Sequence, residues 1–226
     1  MSALTDLADR ARGLVRDGRR AVLGVTGPPG AGKTTLVEQL LAELAPTPPS
    51  GARAGEWVAH VPMDGFHLAD VQLERLGRRD RKGAPDTFDA AGYVAMLRRL
   101  REDADDVVYV PGFERELEQP IAAAIAVPRA ARLILTEGNY LLLDDGDWRR
   151  VRPEVDEVWY ADLDEETRLE RLVSRHVRFG KRPTHAAAWV DAVDEPNAAT
   201  VIATRPRADL IINTATLPTC QTERDL

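Results

Sequence analysis

The sequence predicts an α/β fold, in which a mostly parallel, doubly wound sheet is covered by helices on both faces. Short apolar runs alternate with helical patterns along most of the 226-residue chain, and parallel strands need such helical crossovers. A turn rich in glycine and proline follows the first apolar run and leads directly into a helix. Because no linker divides the chain, we expect one domain over residues 1–226 with a small helical lid.

The elements follow in a regular order. Leu4, Leu7, Ala8, Ala11, Leu14 and Val15 share one face at helical spacing, so residues 1–20 are predicted to form a packing helix outside the active site. Apolar runs predict strands at 21–26, 57–63, 107–110, 133–136, 155–161 and 210–212. Helical patterns predict helices at 33–44, 68–76, 89–101, 165–177 and 186–203, so the core spans residues 21–213.

Composition excludes several classes of protein. The chain is 44% hydrophobic and 30% charged, which is typical of a globular domain. Its net charge of −7 disfavours general binding to nucleic acid, and no run of 18 apolar residues predicts a membrane span. The single cysteine, Cys220, cannot form an internal disulfide, so a reducing, cytoplasmic location is expected.

Residues 27–34 match the pattern G-x-x-x-x-G-K-[ST], which binds nucleotide phosphates when it lies between a strand and a helix. The glycines allow backbone N–H groups to surround phosphate oxygens, and the helix N-terminus adds its positive dipole end. We expect Lys33 to reach the β and γ phosphates and the Thr34 hydroxyl to bind Mg²⁺. The motif indicates a three-layer P-loop NTPase sandwich, and the expected nucleotide contacts are Gly27, Pro28, Pro29, Gly30, Ala31, Gly32, Lys33, Thr34 and Thr35.

Two acidic residues end apolar strands at the predicted carboxyl edge of the sheet. The chain lacks N-K-x-D for guanine and L-S-G-G-Q of transporter ATPases, and its acidic strand end is instead Glu137 in L-I-L-T-E-G. Glu137 is expected to hold Mg²⁺ through water, with a capping or solvent-facing carboxylate as the alternative. Asp64, in D-G-F-H after residues 57–63, could accept the proton of an attacking hydroxyl.

An ordered set of motifs extends this interpretation. The P-loop is followed by D-G-F-H at 64–67, K-G-A-P-D-T-F-D at 82–89, P-G-F-E-R at 111–115 and E-G-N-Y at 137–140. Over residues 21–213 this order resembles the uridine kinase, phosphoribulokinase and bacterial pantothenate kinase group, closest to its bacterial nucleoside/nucleotide kinase-like branch, which includes fructokinase-like and pantothenate kinase-related proteins. The resemblance implies that Asp64 is the catalytic base and Glu137 the acid of the metal site.

The same resemblance places an arginine-rich lid at about 165–185. Arginines at 168, 171, 175 and 178 follow helical spacings. We favour Arg171 and Arg175 as the catalytic pair that faces the phosphates, although a solvated face paired with neighbouring glutamates is equally compatible with any single arginine. Arg175-His176 and Gly180-Lys181 depart from the Arg-Asp and Gly-Arg of uridine kinases, so nucleoside specificity does not follow.

Further residues are candidates for the acceptor side. His67 either binds an acceptor hydroxyl or caps the following helix, and Arg115 either clamps the acceptor or forms a surface ion pair. Asp89 is expected to cap its helix. Tyr140 and Trp148 line the pocket or belong to the core, and the resemblance loosely places Asn197 near adenine. Only three of the 30 basic residues are lysines, and we hypothesise that all three approach ligands: Lys33, Lys82 and Lys181.

The sequence therefore predicts a kinase that uses ATP and Mg²⁺ to phosphorylate a hydroxyl of a nucleoside, a pantothenate-like compound or a sugar. The alternative is a regulatory module that binds ATP and hydrolyses it slowly without an acceptor. The expected partner is this small molecule, with a homodimer as one option and with no nucleic acid and no membrane.

Overall fold

The computed structural model describes residues 3–15 and 18–217. Five parallel strands form the main sheet in the order β2-β5-β1-β6-β7, and β3 pairs with β4 in a separate antiparallel sheet. The α/β class and the parallel, doubly wound sheet are thereby confirmed. In chain order the strands are β1 Ala21–Thr26, β2 Val58–Pro62, β3 Val107–Glu114, β4 Gln119–Pro128, β5 Leu133–Glu137, β6 Glu157–Asp162 and β7 Leu210–Asn213.

Helices cover both faces of the main sheet. On one face α1 and α2 pack against Leu23 and Val25 of β1, and on the other α4 packs against Val22. All six residues of β1 are buried, as expected for the central strand of a parallel sheet. The α-helices are α1 Ala3–Arg12, α2 Lys33–Leu44, α3 Asp70–Arg75, α4 Ala90–Glu102, α5 Glu165–Arg178, α6 Pro183–Trp189 and α7 Glu195–Ile202.

The N-terminal helix is shorter than the predicted 1–20. It ends at Arg12, and Gly13 follows, a residue that favours the end of a helix because it loses the most backbone freedom inside one. Residues 16 and 17 lie outside the described residues. Among the helices of the described part of the chain, none has the length and apolarity needed to cross a bilayer.

The run at 107–110 belongs to a separate hairpin, which corrects its expected place among the strands of the parallel sheet. β3 continues to Glu114 and pairs with β4, a strand whose run of small alanines gave no clear period. The turn between these strands carries Arg115 to Glu118. Both β3 and β4 contact the short 3₁₀ turn at Met63–Phe66, so the hairpin lies beside the carboxyl end of β2.

The predicted helix at 186–203 consists of three parts. α6 ends at Trp189, a π-helical turn spans Val190–Asp194, and α7 continues from Glu195. Pro196 has no N–H to donate, so regular α-helical bonding cannot run unbroken through this segment. π turns of this kind often reposition a functional side chain. Here the turn orients Asp194, whose carboxylate accepts a hydrogen bond from His176 of α5.

Candidate active site

Two clefts meet at the carboxyl edge of the main sheet. The first, called here the P-loop cleft, has a volume of about 470 Å³ and is lined by the P-loop, the start of α2, Arg171 and residues 214, 215 and 217. The second, called the hairpin cleft, has a volume of about 480 Å³ and is lined by the 64–67 turn, the β3–β4 hairpin and the lid. The residues that line both clefts are Lys33, Thr34, Arg115, Arg175 and Phe179.

The P-loop turns tightly because its glycines adopt backbone angles that other residues avoid. Gly30 has φ +83°, and a Cβ there would lie 2.8 Å from the carbonyl oxygen of Arg168 in the lid helix. A larger residue at this position would therefore push the lid away from the loop. Gly32, also at φ +83°, begins α2 and leaves the first amides of that helix open for an anion.

Lys33 lies inside the loop. Its Nζ donates to the carbonyl oxygens of Gly27 at 2.9 Å and Pro28 at 3.1 Å. Burial lowers the pKa of Lys33, while the carboxylates of Glu137 and Asp64 oppose this shift. Phosphate oxygens would supply the counter-charge that the buried ammonium lacks.

Thr34 and Glu137 face each other across the shared part of the clefts. The Thr34 hydroxyl donates to Oε1 of Glu137 at 3.4 Å. Burial raises the pKa of Glu137, and Asp64 adds to the rise, whereas Lys33 opposes it. These oxygen donors fit Mg²⁺, which is commonly held by few protein groups together with phosphates and waters. The described residues contain no cluster of three or more His, Cys, Asp or Glu that could hold a metal ion.

Asp64 is carried by the 3₁₀ turn after β2 and lines the hairpin cleft. Arg115 reaches it from the hairpin, with 3.6 Å between a guanidinium nitrogen and the carboxylate. Gly65 permits this arrangement, since a Cβ at that residue would lie 2.3 Å from the carbonyl oxygen of Pro111 in β3. The base candidate and an arginine shared by both clefts are thus held together by a close approach of two backbones.

His67 lines the same cleft and is locked in place. Its Nδ1 is hydrogen-bonded to the carbonyl oxygen of Asp64 at 2.8 Å, and its ring packs on Phe88 at 3.9 Å and Phe113 at 4.8 Å between centroids. Burial lowers the pKa of His67, which keeps the imidazole neutral at physiological pH. His67 ends the 63–66 turn and does not cap the following helix, whose N-cap is Ala69, so binding of an acceptor hydroxyl stays a prediction.

Lys82 also lines the hairpin cleft, but its ammonium already has partners. Nζ lies 2.7 Å from Asp70 and donates to the backbone carbonyl of Glu118 at the hairpin turn. Arg79 pairs with the same Asp70 at 3.1 Å. These bonds join α3, the 78–89 loop and the hairpin into one wall.

Three candidates have places in the core or at a helix end. Tyr140 is buried and lines neither cleft, which matches the core alternative and not the substrate contact, and its hydroxyl donates to the carbonyl oxygen of Gly83 at 2.5 Å. Trp148 is also buried, and its indole donates to Pro85. Asp89 caps α4, as predicted, by accepting from the amide of Gly92 at 2.8 Å.

The lid arginines divide into two groups. Arg171 lines the P-loop cleft and Arg175 lines both clefts, and neither has an ion-pair partner among the described residues. Protein atoms that surround the cleft lower the pKa of Arg175, although its side chain still reaches solvent. Arg168, in contrast, is 2% exposed and pairs with Glu195 of α7 at 2.7 Å, so it fixes the lid helix.

Among the further residues that line the clefts, Thr214 was not singled out in the sequence, whereas Asn197 and Lys181 were. Thr214 lines the P-loop cleft, and its hydroxyl donates to the carbonyl oxygen of Ala31 in the loop. Asn197, which the resemblance loosely places near adenine, lines the hairpin cleft. Lys181 lines the hairpin cleft too, with its ammonium 4.9 Å from the ring centre of Trp189. In the sequence, the short stretch Asp194-Glu-Pro-Asn was the signal available for this side of the hairpin cleft.

A parallel sheet with a phosphate loop after its first strand and an acidic side chain at the end of the neighbouring strand defines a P-loop nucleotide-binding protein. Residues 6–64 match the family described as "Methylmalonyl Co-A mutase-associated GTPase MeaB". That stretch includes β1, the P-loop, α2 and β2 but none of the hairpin or the lid. It therefore supports the nucleotide site and leaves the rest of the chain unassigned.

Similarity over nearly the whole chain is found with other proteins. YggC of Escherichia coli, described as uncharacterized, is 34% identical over 196 residues, or 86% of this chain and 78% of that protein. A Schizosaccharomyces pombe protein named "Putative uridine kinase" is 31% identical over 193 residues, or 83% of this chain and 80% of that protein. The crystal structure of a "putative fructose transport system kinase" from a Silicibacter species is 33% identical with a TM-score of 0.81, covering 94% of this chain and all of that one.

The chain belongs to the family of P-loop kinases that includes these uridine kinase-like proteins. It is accordingly a kinase. Several of its relatives are named as ATP-dependent kinases.

Proposed function

We propose that this kinase transfers the γ-phosphoryl group of ATP, in the presence of Mg²⁺, to a hydroxyl group of a small metabolite. The observation that carries the proposal is the pair of clefts with a common wall: a nucleotide in the P-loop cleft and an acceptor in the hairpin cleft would meet at the residues that both clefts share.

Asp64 is the group that would prepare the acceptor. It lies at the hairpin-cleft side of this meeting point, where its carboxylate can accept the proton of the attacking hydroxyl and orient the oxygen toward the γ phosphorus. Arg115 holds Asp64 at 3.6 Å and keeps the carboxylate directed toward the shared wall.

Charge on the transferred group would be stabilised from several sides. The P-loop amides and Lys33 would hold the phosphates, and Arg171 and Arg175, which have no ion-pair partner among the described residues, would supply guanidinium groups from α5. When bound by Thr34 and Glu137, Mg²⁺ would neutralise phosphate charge and fix the phosphate orientation. The lid helix, packed against Gly30, would exclude water from the cleft and so limit hydrolysis.

Asp64→Asn is the experiment that tests this assignment. The amide keeps the shape of the side chain but cannot accept the proton, so acceptor-dependent ADP formation should fall by about 100-fold or more. The affinity for ATP, measured by equilibrium binding, should stay within about twofold because the P-loop cleft does not contain Asp64.

Asp80→Asn is the matched control, since Asp80 is exposed and lines neither cleft. It should leave both quantities unchanged. Phosphoryl transfer at a near-native rate in Asp64→Asn would remove Asp64 as the base.

A further inference from the structure

The lid side of the hairpin cleft holds a group of side chains that the proposed transfer step does not use. Nε2 of His176 in α5 donates a hydrogen bond to Oδ2 of the Asp194 carboxylate at 2.7 Å. The ring of Trp189 lies edge-on to His176 at 6.5 Å, and Lys181 lies over the same indole. All four side chains line the hairpin cleft.

The π turn at Val190–Asp194 accounts for this grouping. Asp194 is 8% exposed, and the small open part of its carboxylate faces the cleft. In the described part of the chain, His176 is the one hydrogen-bond partner of that carboxylate. The second oxygen, Oδ1, is therefore available to accept from a ligand, and burial strengthens such a bond.

The charges of the hairpin cleft disfavour an acidic ligand away from the shared wall. Lys82 and Arg79 share the carboxylate of Asp70, Arg79 also pairs with Glu74, and Lys181 lies over the ring of Trp189. Glu118 lines the same cleft, and its carboxylate has no ion-pair partner among the described residues. Outside the shared wall, five carboxylates and three cations line this cleft, so a second anionic group on the acceptor would meet net repulsion there.

The following inference rests on the kinase activity proposed above. We propose that Asp194 and Trp189 form the wall of the hairpin cleft that selects the acceptor, with Asp194 oriented by His176, and that the acceptor is an uncharged polyhydroxylated compound. Hydroxyl groups of this acceptor donate to Asp194, and its carbon-bound hydrogens pack on the indole face. Asp194 and Trp189 bind the acceptor, whereas His176 is a positioning residue that acts through Asp194.

The test first compares wild-type ADP formation with uridine, D-fructose, pantothenate and D-fructose 6-phosphate at saturating ATP. We expect turnover with an uncharged compound and little with the carboxylate or the phosphate ester. Turnover with an anionic compound alone would overturn the assigned class while leaving the kinase proposal intact. Absence of acceptor-dependent ADP formation with all four and with a wider panel of alcohols would count against the kinase proposal itself.

The second part measures KM for the accepted compound in Asp194→Asn and Trp189→Leu. Each should raise this KM by about tenfold and leave KM for ATP within about twofold. Asp191→Asn, on the exposed side of the same π turn, and His185→Gln, exposed on α6, should match wild type. His176→Gln should raise the same KM by a smaller factor, because Asp194 retains its charge but loses its orientation.

A native acceptor KM in both Asp194→Asn and Trp189→Leu would overturn the wall. A purely structural role would instead lower the melting temperature and change KM for ATP as well, and that pattern in both variants would also reject the proposal. Equilibrium binding of ATP to every variant separates these cases, even for a variant of reduced stability.

Discussion

At the scale of single residues, the site is defined by three ionisable groups, two of which burial has shifted in opposite directions. Lys33 comes from the P-loop, Asp64 from the turn after β2, and Glu137 from the end of β5. Burial lowers the pKa of Lys33 and raises that of Glu137, so each charge is costly until a ligand arrives. We therefore expect nucleotide binding to be linked to proton exchange.

Whether protons are released or taken up on binding follows from the directions of the two pKa shifts. At about pH 6.5, part of the ligand-free population carries a proton on Glu137. Binding of Mg²⁺-ATP should release this proton because the metal needs the carboxylate. At about pH 8.5, part of the ligand-free population lacks the proton on Lys33. Binding of the phosphates should cause Lys33 to take up a proton. Calorimetry in two buffers of different ionisation enthalpy measures the number of protons at each pH.

Glu137→Gln serves as the comparison, since it should abolish the release at low pH and retain the uptake at high pH. Binding enthalpies that are the same in both buffers at both pH values would show that neither pKa changes on binding, which contradicts the account of the buried pair.

Candidate site residues that belong to short motifs could be predicted from the sequence, whereas the contacts and burial of their side chains could not. The P-loop pattern, Asp64 and Glu137 could be located because each follows an apolar run, and the carboxyl ends of parallel strands meet at one edge. Arg168 and Arg171 look equivalent in the sequence, yet one is buried against Glu195 and the other lines a cleft. Their difference depends on α7, which is far away in the chain.

At the scale of secondary-structure elements, the β3–β4 hairpin and the lid build the acceptor side on a conventional sheet. The alternation of strands and helices was visible in the sequence, but β4 was not, because alanine fits strand and helix alike. The π turn was also not predictable, since it depends on packing of α5 against the segment that follows α6. The turn that leads into β4 carries Arg115, and the π turn carries Asp194, so elements that the sequence did not reveal shape much of the hairpin cleft.

The docking of the hairpin on the 63–66 turn gives an element-scale prediction. Gly65→Ala places a methyl group 2.3 Å from the carbonyl oxygen of Pro111, so one backbone must move. We expect the free energy of unfolding to fall by about 1–3 kcal/mol. We also expect kcat to fall by about tenfold or more, because Arg115 would move relative to Asp64. Urea unfolding and steady-state kinetics measure the two effects.

Gly77→Ala controls for loss of stability without movement of the hairpin. Gly77 has φ +64°, and no atom lies within 4 Å of the place that a methyl group would take, so the substitution costs about 1–2 kcal/mol of backbone strain. Its kcat should stay native. If Gly65→Ala keeps both native stability and native kcat, the close approach does not position Arg115.

At the scale of the whole molecule, the chain is acidic overall but concentrates cations at the P-loop cleft and at the wall it shares with the hairpin cleft. The net charge is −7, yet Lys33, Arg171 and Arg175 all line the P-loop cleft. Similarity to proteins named as kinases extends over most of the chain, and not only over the loop and its flanking strands. We propose that the chain acts as one unit that moves phosphate from ATP to a small hydroxyl compound.

Phosphorus-31 NMR of a reaction with Mg²⁺, ATP and the acceptor that supports turnover tests that claim most directly. We predict a phosphomonoester signal that grows in equal amount to ADP, with little inorganic phosphate, and no such signal with Asp64→Asn. Formation of inorganic phosphate alone, at the same rate with and without every acceptor, would show hydrolysis without transfer and would contradict the account.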